Sequence, residues 1–357
     1  MKTSSSARNS QRLLTILALA GILLLTGCKS KSTDQVTTPI IQEPLSDIFT
    51  AQEHMGVNYG PFHYSNQNSG STIPLSQIQA DLDIIARNFH FIRTYTVRQG
   101  MDKVVPEAAA RGIEVALGVY CDPTSGIATK ADIDIAVNMA KQYTTTVTAI
   151  VVGNETNLAG GNTNYVEDAT VAGYMDYAKT QMTANGITGV TVSSCITGTG
   201  GLEGGSGISK PCPRILEKCR DLNAPGDKVI FMTIYPYYGQ KNNNVNKPSD
   251  IAGNMQWSHD NGMVQAETTY GLDVIIGEIG WPSNGNDVNM ENAANEGLNY
   301  STTLKWVNGT NIYNKSYNTL WFAIFDEPWK TSEEFGVGPY WGIYGPDGAT
   351  SPKFVIP

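Results

Sequence analysis

Charge is scarce in this chain. Only 16% of its 357 residues are Asp, Glu, Lys or Arg, and 33 acidic residues outnumber 24 basic ones, for a formal net charge of −9. A surface so short of positive charge excludes nucleic acid and a basic membrane-facing patch as partners, and a neutral polysaccharide would be indifferent to it. Histidine is scarcer still, with His54, His63, His90 and His259 scattered along the sequence. No two of the five cysteines stand at CxxC spacing, so no metal site is expected. The glycine-rich residues 200–205 (GGLEGG) lack the lysine and the helix start of a phosphate-cradling loop. No cofactor is expected either.

Long hydrophobic runs are also missing, except at the N-terminus. Lys2, Arg8 and Arg12 precede an apolar run at residues 13–25, short for a membrane span, which ends in Thr26, Gly27 and Cys28. This resembles a bacterial lipoprotein signal, in which the cysteine becomes the acylated first residue of the mature chain. A general secretory signal with an incidental cysteine is the alternative. Acyl chains on Cys28 would anchor the protein, each buried methylene contributing about 0.8 kcal/mol. Residues 29–43, rich in Ser, Thr, Gln and Pro, then read as a tether. The expected organisation is a signal peptide at 1–27, lipidated Cys28 with a tether to 50, and one domain over 51–357. The expected location is a bacterial cell envelope, on either membrane face. Cys121, Cys195, Cys212 and Cys219 allow three disulfide pairings that the sequence does not rank.

What is present is a regular alternation of elements. Short apolar strands are expected at 55–59, 91–97, 114–121, 148–154, 190–195, 229–235, 273–279 and 319–325. Helical spacing separates them: Ile78, Leu82, Ile85 and Phe89; Ile133, Ala136, Met139 and Ala140; Met175, Ala178 and Met182, stopped by Gly186. Eight strands with seven crossovers predict an α/β fold, a single-domain (β/α)8 TIM barrel whose eighth helix is short or absent. A doubly wound open sheet would carry a glycine-rich phosphate turn after its first strand, and residues 56–60 (GVNYG) are not one.

Two strands end in glutamates: Glu155 closes residues 149–155 (AIVVGNE) and Glu278 lies within 273–283 (DVIIGEIGWPS). A carboxylate at the end of an apolar strand is costly, because burial disfavours its charged form. Barrels place chemistry at the C-terminal ends of strands, where Tyr95, Tyr235, Asp326 and Glu327 also fall. Two carboxylates flanking one bond are the equipment of a glycoside hydrolase. The 17 Tyr and 6 Trp suit a cleft with sugar-stacking rings, although core packing explains most of them.

The motifs make the resemblance specific. Residues 56–61 (GVNYGP), 93–95 (RTY), 152–155 (VGNE), 235–238 (YPYY), 277–283 (GEIGWPS), 325–330 (FDEPWK) and 340–346 (YWGIYGP) are similar, in this order, to glycoside hydrolase family 17. That family holds β-1,3-glucanases and glucanosyltransferases built on (β/α)8 barrels. The resemblance implies that Glu155 is the acid/base and Glu278 the nucleophile of a retaining, endo-acting double displacement on a laminarin-like β-1,3-glucan. It further implies that Asn154 contacts the sugar 2-hydroxyl, that Tyr235 or Tyr237 orients Glu278, and that Tyr95 lines the cleft. Trp281 would be a stacking surface or a packing residue. Glu327 and Lys330 would form a charge pair that fixes substrate hydroxyls, with Asp326 and Trp329 left open and Tyr59 possible as core. The partners expected are a β-glucan and, through Cys28, a membrane; a monomer is expected. A glucanosyltransferase, or an inactive glucan-binding lipoprotein, are the competing expectations.

Overall fold

The computed structural model describes residues 55–159, 165–198, 209–242 and 251–357. The expected signal peptide, Cys28 and the tether lie outside the described residues, as do residues 200–205. Among the described residues, no helix is long and apolar enough to cross a membrane.

Eight strands close into a parallel barrel in sequence order: β1 (Met55–Asn58), β2 (Phe91–Arg93), β3 (Glu114–Val119), β4 (Val147–Asn154), β5 (Thr191–Thr197), β6 (Val229–Thr233), β7 (Asp273–Ile279) and β8 (Thr319–Trp321). Most are almost unbroken apolar runs because both faces are covered; β5 (TVSSCIT) is the exception, with Thr and Ser at four of its seven positions. One set of side chains, including Phe91, Ala116, Val151, Cys195, Phe231, Ile275 and Leu320, forms a small cluster of its own. The alternate set joins the larger core beneath the helices. The strands all run the same way, so their C-terminal ends share one rim.

The helices are α1 (Leu75–Ile85), α2 (Val104–Ala109), α3 (Gly126–Gln142), α4 (Asp168–Ala184), α5 (Pro213–Asp221), α6 (Pro236–Asn242), α7 (Ile251–Ser258), α8 (Val264–Tyr270) and α9 (Ala293–Val307). Ile78, Leu82 and Ile85 of α1, and Ile133, Ala136 and Ala140 of α3, are fully buried, as their spacing requires. Gly186 ends the α4 segment with φ +68°, a left-handed conformation that glycine adopts without a Cβ penalty. A π turn at His259–Met263 joins α7 to α8, so the β6–β7 connection is the most elaborate of the barrel.

β1, β3 and β6 end one or two residues earlier than expected, and β2 and β8 are shortened by four. β2 ends at Arg93, after which only Thr94 N–H continues to β3, bonding Ala116 O at 3.1 Å. β8 ends at Trp321, before a cis Phe322–Ala323 peptide; Ala323 N–H then bonds Trp341 O and Ile324 N–H bonds Asn58 O. Among the described residues, no α-helix follows β8. The C-terminal segment takes that place. Tyr344 bridges to Phe325 and to Pro352, and the ring of Phe354 packs 5.3 Å from that of Tyr300 on α9. Between them Lys353 turns inward, its Nζ 2.9 Å from Asp326 Oδ1, 3.4 Å from Glu296 Oε2 and bonded to Ser283 Oγ.

The four cysteines of the barrel are buried, and no disulfide joins them. Burial pushes those of Cys121 and Cys219 up to about 12, so they are protonated and inert packing groups.

Candidate active site

Glu155 is the first residue past β4, and its backbone turns sharply there: Gly153 has φ +81° and Glu155 itself φ +50°. A non-glycine residue in the left-handed region is strained, and such strain collects at functional sites. The turn is held by Glu155 N–H, which donates to Cys195 O of β5 at 2.8 Å. The Thr233 hydroxyl at the end of β6 donates to Glu155 Oε1 at 2.5 Å. Burial, and then the charge of Glu278, push the Glu155 carboxyl up to about 7. The proton is therefore retained to near neutrality.

Glu278 lies on β7, 4% exposed, in a different setting. Its Oε1 accepts from Arg93 Nη1 and from the Tyr95 hydroxyl, both at 3.0 Å, and its Oε2 accepts from the Tyr235 hydroxyl at 2.7 Å. Three donors, one of them cationic, converge on its two oxygens and fix their orientation. Arg93 is 1% exposed, and its second arm donates to Asn154 Oδ1 at 2.6 Å. The guanidinium thus ties Glu278 of β7 to the residue that precedes Glu155. With Asn154 Oδ1 occupied, its amide is left as the donor toward the cleft.

Both glutamates open onto one cleft of about 1800 Å³, lined by residues from the C-terminal ends of the strands. A smaller pocket beside Lys179 and Asp227 lies away from both glutamates. On the β8 side of the cleft, Lys330 Nζ lies 2.5 Å from Glu327 Oε2, and Trp329 Nε1 donates to Glu327 Oε1 at 3.3 Å. Glu327 presses against Gly60, where a Cβ would lie 2.7 Å from its Oε1. Trp329 also lines the cleft, and Tyr120 (44% exposed) and Trp257 (52% exposed) present rings to it. Glu333 completes this wall; it accepts from Tyr238, and burial raises its carboxyl above the usual range.

The structure brings together Glu155, Glu278, Asn154, Tyr95, Tyr235, Glu327 and Lys330. It does not bring Tyr237 or Trp281 with them, which corrects both expectations. Tyr237 is fully buried and donates to Glu291 Oε1 at 2.6 Å. Trp281 is fully buried, with Nε1 donating to Met290 O at 2.8 Å and its ring edge-on to Tyr237 at 5.3 Å. Both are core aromatics whose polar atoms found partners inside the protein. Asp326 faces Lys353, away from the cleft, and Tyr59 is core, donating to Asp81 at 2.8 Å.

Sequence reasoning missed Arg93, Thr233, Glu333, Tyr120 and Trp257. For Arg93 a signal existed: an arginine directly after Phe91 and Ile92 in a buried strand needs an anionic partner. No comparable signal marks Thr233, one hydroxyl within an apolar strand.

A (β/α)8 barrel with two unlike carboxyl groups at its C-terminal rim has the architecture of a glycoside hydrolase. Residues 56–342 match the model of the BtgE/BtgC glycoside hydrolase domain, and the chain belongs to that family. It is 25% identical over 294 residues to a probable β-glucosidase btgE of Aspergillus fumigatus, covering 81% of this chain and 45% of that protein. It is 26% identical over 303 residues to a probable family 17 glucosidase SCW10 of Saccharomyces cerevisiae, covering 82% and 65%. The chain spans about half the length of the Aspergillus relatives. Among solved structures, the fold resembles an endo-laminarinase from Formosa (TM-score 0.66, 18% identity, 85% of this chain and 86% of that one). It also resembles a family 17 β-1,3-glucanosyltransferase from Rhizomucor miehei (TM-score 0.62, 19% identity, 85% and 97%).

Proposed function

We propose that this glycoside hydrolase cleaves β-1,3-glucan by retaining double displacement, acting within the chain. One observation carries the reading: Glu278 is held by Arg93, Tyr95 and Tyr235 in the same cleft where burial keeps the proton on Glu155. In the first step a Glu278 oxygen attacks the anomeric carbon, and the C–O bond to the departing sugar breaks with its electron pair going to oxygen. Glu155 gives that oxygen its proton. In the second step the Glu155 carboxylate takes a proton from water, which displaces Glu278 and restores both groups. The free Asn154 amide is placed to donate to the 2-hydroxyl of the attacked sugar, and the Glu327–Lys330 pair to hold neighbouring hydroxyls.

Product analysis on laminarin tests the reading. Expected are mixed oligosaccharides from the earliest time points, with new reducing ends in the β configuration by proton NMR. Initial α products would refute retention, and glucose alone would refute internal cleavage. The exposed rings of Tyr120 and Trp257 favour a second outcome, transfer to a glucan acceptor bound on them, which would appear as products longer than the substrate.

The domain is further proposed to be monomeric and to sit in a bacterial envelope, tethered through lipidated Cys28. Metabolic incorporation of palmitate that is lost in Cys28→Ser tests the anchor, and light scattering of residues 51–357 tests the monomer.

A further inference from the structure

We propose that Thr233 is a positioning residue that fixes the Glu155 proton on Oε2, the oxygen left to face the glucan; this rests on the acid/base reading of Glu155. The Thr233 hydroxyl carries one proton and directs it at Oε1 from 2.5 Å. A carboxyl oxygen that accepts such a bond is the unprotonated one, so the acid proton sits on the other oxygen. The strand holds the residue in place. Thr233 is 6% exposed, its carbonyl accepts Gly198 N–H at 3.0 Å, and it pairs with Thr197 of β5 and Glu278 of β7 in the barrel register. One strand position thereby sets both the acid's orientation and its alignment with the nucleophile.

The bond also changes during the reaction. As Oε2–H breaks and the proton moves to the departing glycosidic oxygen, Glu155 gains negative charge. The Thr233 bond becomes charge-assisted and stronger, so it stabilises the transition state more than the ground state. The other groups facing Glu155 are Arg93 from β2, Cys195 from β5, Tyr235 just past β6, Glu278 from β7 and Glu333 from the loop after β8. Arg93 and Thr233 favour the carboxylate, whereas burial, Glu278 and Glu333 favour the acid. Removing the hydroxyl should therefore move the titration of Glu155 upward.

The experiment compares kcat/KM against pH for wild type, Thr233→Val and Thr233→Ser, on laminarin and on 2,4-dinitrophenyl β-laminaribioside, whose leaving group needs no acid. Thr233→Val should lose about tenfold on laminarin at the optimum, the scale of a hydrogen bond to a developing charge. It should move the alkaline limb to higher pH and leave the aryl substrate nearly unaffected. Thr233→Ser should restore both the rate and the limb. Superimposable pH limbs, or equal losses on the two substrates, would overturn the role of Thr233 alone. A Glu155→Gln variant with wild-type activity on laminarin would overturn the acid reading and this proposal together. Should Thr233→Val not fold, Thr233→Ala and carboxyl carbon-13 NMR titration of Glu155 decide the same question.

Discussion

Tyr235 and Tyr237, two residues apart past the end of β6, donate to different glutamates in different environments. Tyr235 bonds Glu278 in the cleft at 2.7 Å, and Tyr237 bonds Glu291 in the core at 2.6 Å. Pro236 between them starts α6, so the chain leaves strand geometry at that point and the two rings diverge. Tyr237 then packs among Trp281, Phe335 and Trp341, with Lys241 2.8 Å from the shared Glu291 carboxylate.

The two tyrosines should therefore separate activity from stability. Tyr235→Phe removes one donor from Glu278 and should lower kcat about tenfold with little change in melting temperature. Tyr237→Phe leaves a buried Glu291 oxygen short of a partner and should cost about 1–3 kcal/mol in denaturant unfolding, with activity per folded molecule unchanged. A rate defect in Tyr237→Phe that matched the Tyr235→Phe defect would return Tyr237 to the catalytic site.

Glu278→Ala should abolish laminarin cleavage, since no other group is placed to form the glycosyl–enzyme bond. Azide enters the space left by the carboxylate and should restore turnover, yielding an α-glycosyl azide detectable by mass spectrometry and NMR. Rescue giving the β product, or undiminished activity without azide, would disqualify the residue.

The proposed mechanism requires the protonated form of Glu155, whose carboxyl is held up to about 7, so kcat/KM on laminarin should fall as pH rises through roughly 7. Glu155→Gln should lose about 10²–10⁴-fold on laminarin and far less on dinitrophenyl glycosides. The same shift predicts a stability difference. The folded protein holds this proton more tightly than the unfolded chain, whose Glu ionises near 4.5. The stability Glu155 contributes is thus full below about 4.5 and lost as pH rises through about 7. Glu155→Gln, which cannot ionise, should gain on wild type between pH 5 and 8 by at most roughly 3 kcal/mol. Melting curves across that range check the sign, and a gain confined to acid pH would contradict it.

Gly60→Ala would place a methyl 2.7 Å from Glu327 Oε1. The carboxylate must move, and Lys330 and Trp329 with it. Expected is a rise of about tenfold in KM for laminarin with kcat changed less, because this wall binds sugar hydroxyls and leaves the reacting bond alone. Steady-state kinetics on laminarihexaose would show the split; a pure kcat defect would place Glu327 in the chemistry instead.

Strand order and the rim were legible because most strands are buried apolar runs and the polar residues at their ends interrupt those runs. Glu155 and Glu278 stood out for the same reason. Tyr237 and Trp281 misled because a ring beside such a motif has the same sequence whether it faces the cleft or the core; the choice was made by the start of α6 at Pro236 and by Met290 O, which only the folded loop brings to the Trp281 indole. Arg93 bridges β2 to residues 61 and 185 positions away. The buried strand signals that Arg93 needs an anionic partner, but which one is a product of barrel closure that no local pattern encodes. The strand ends of β2 and β8 were overestimated because apolar residues continue past the last ladder bond.

Lys353 has a consequence for how substrate is met. Its ammonium joins Ser283, five residues beyond Glu278, to Asp326, the neighbour of Glu327, from behind the cleft. The loop after Glu278 and the loop that carries the Glu327 wall of the cleft are thereby stapled to each other. Association with a glucan then requires little ordering of that wall, and more of the contact energy is left to distort the sugar ring toward its oxocarbenium-like geometry.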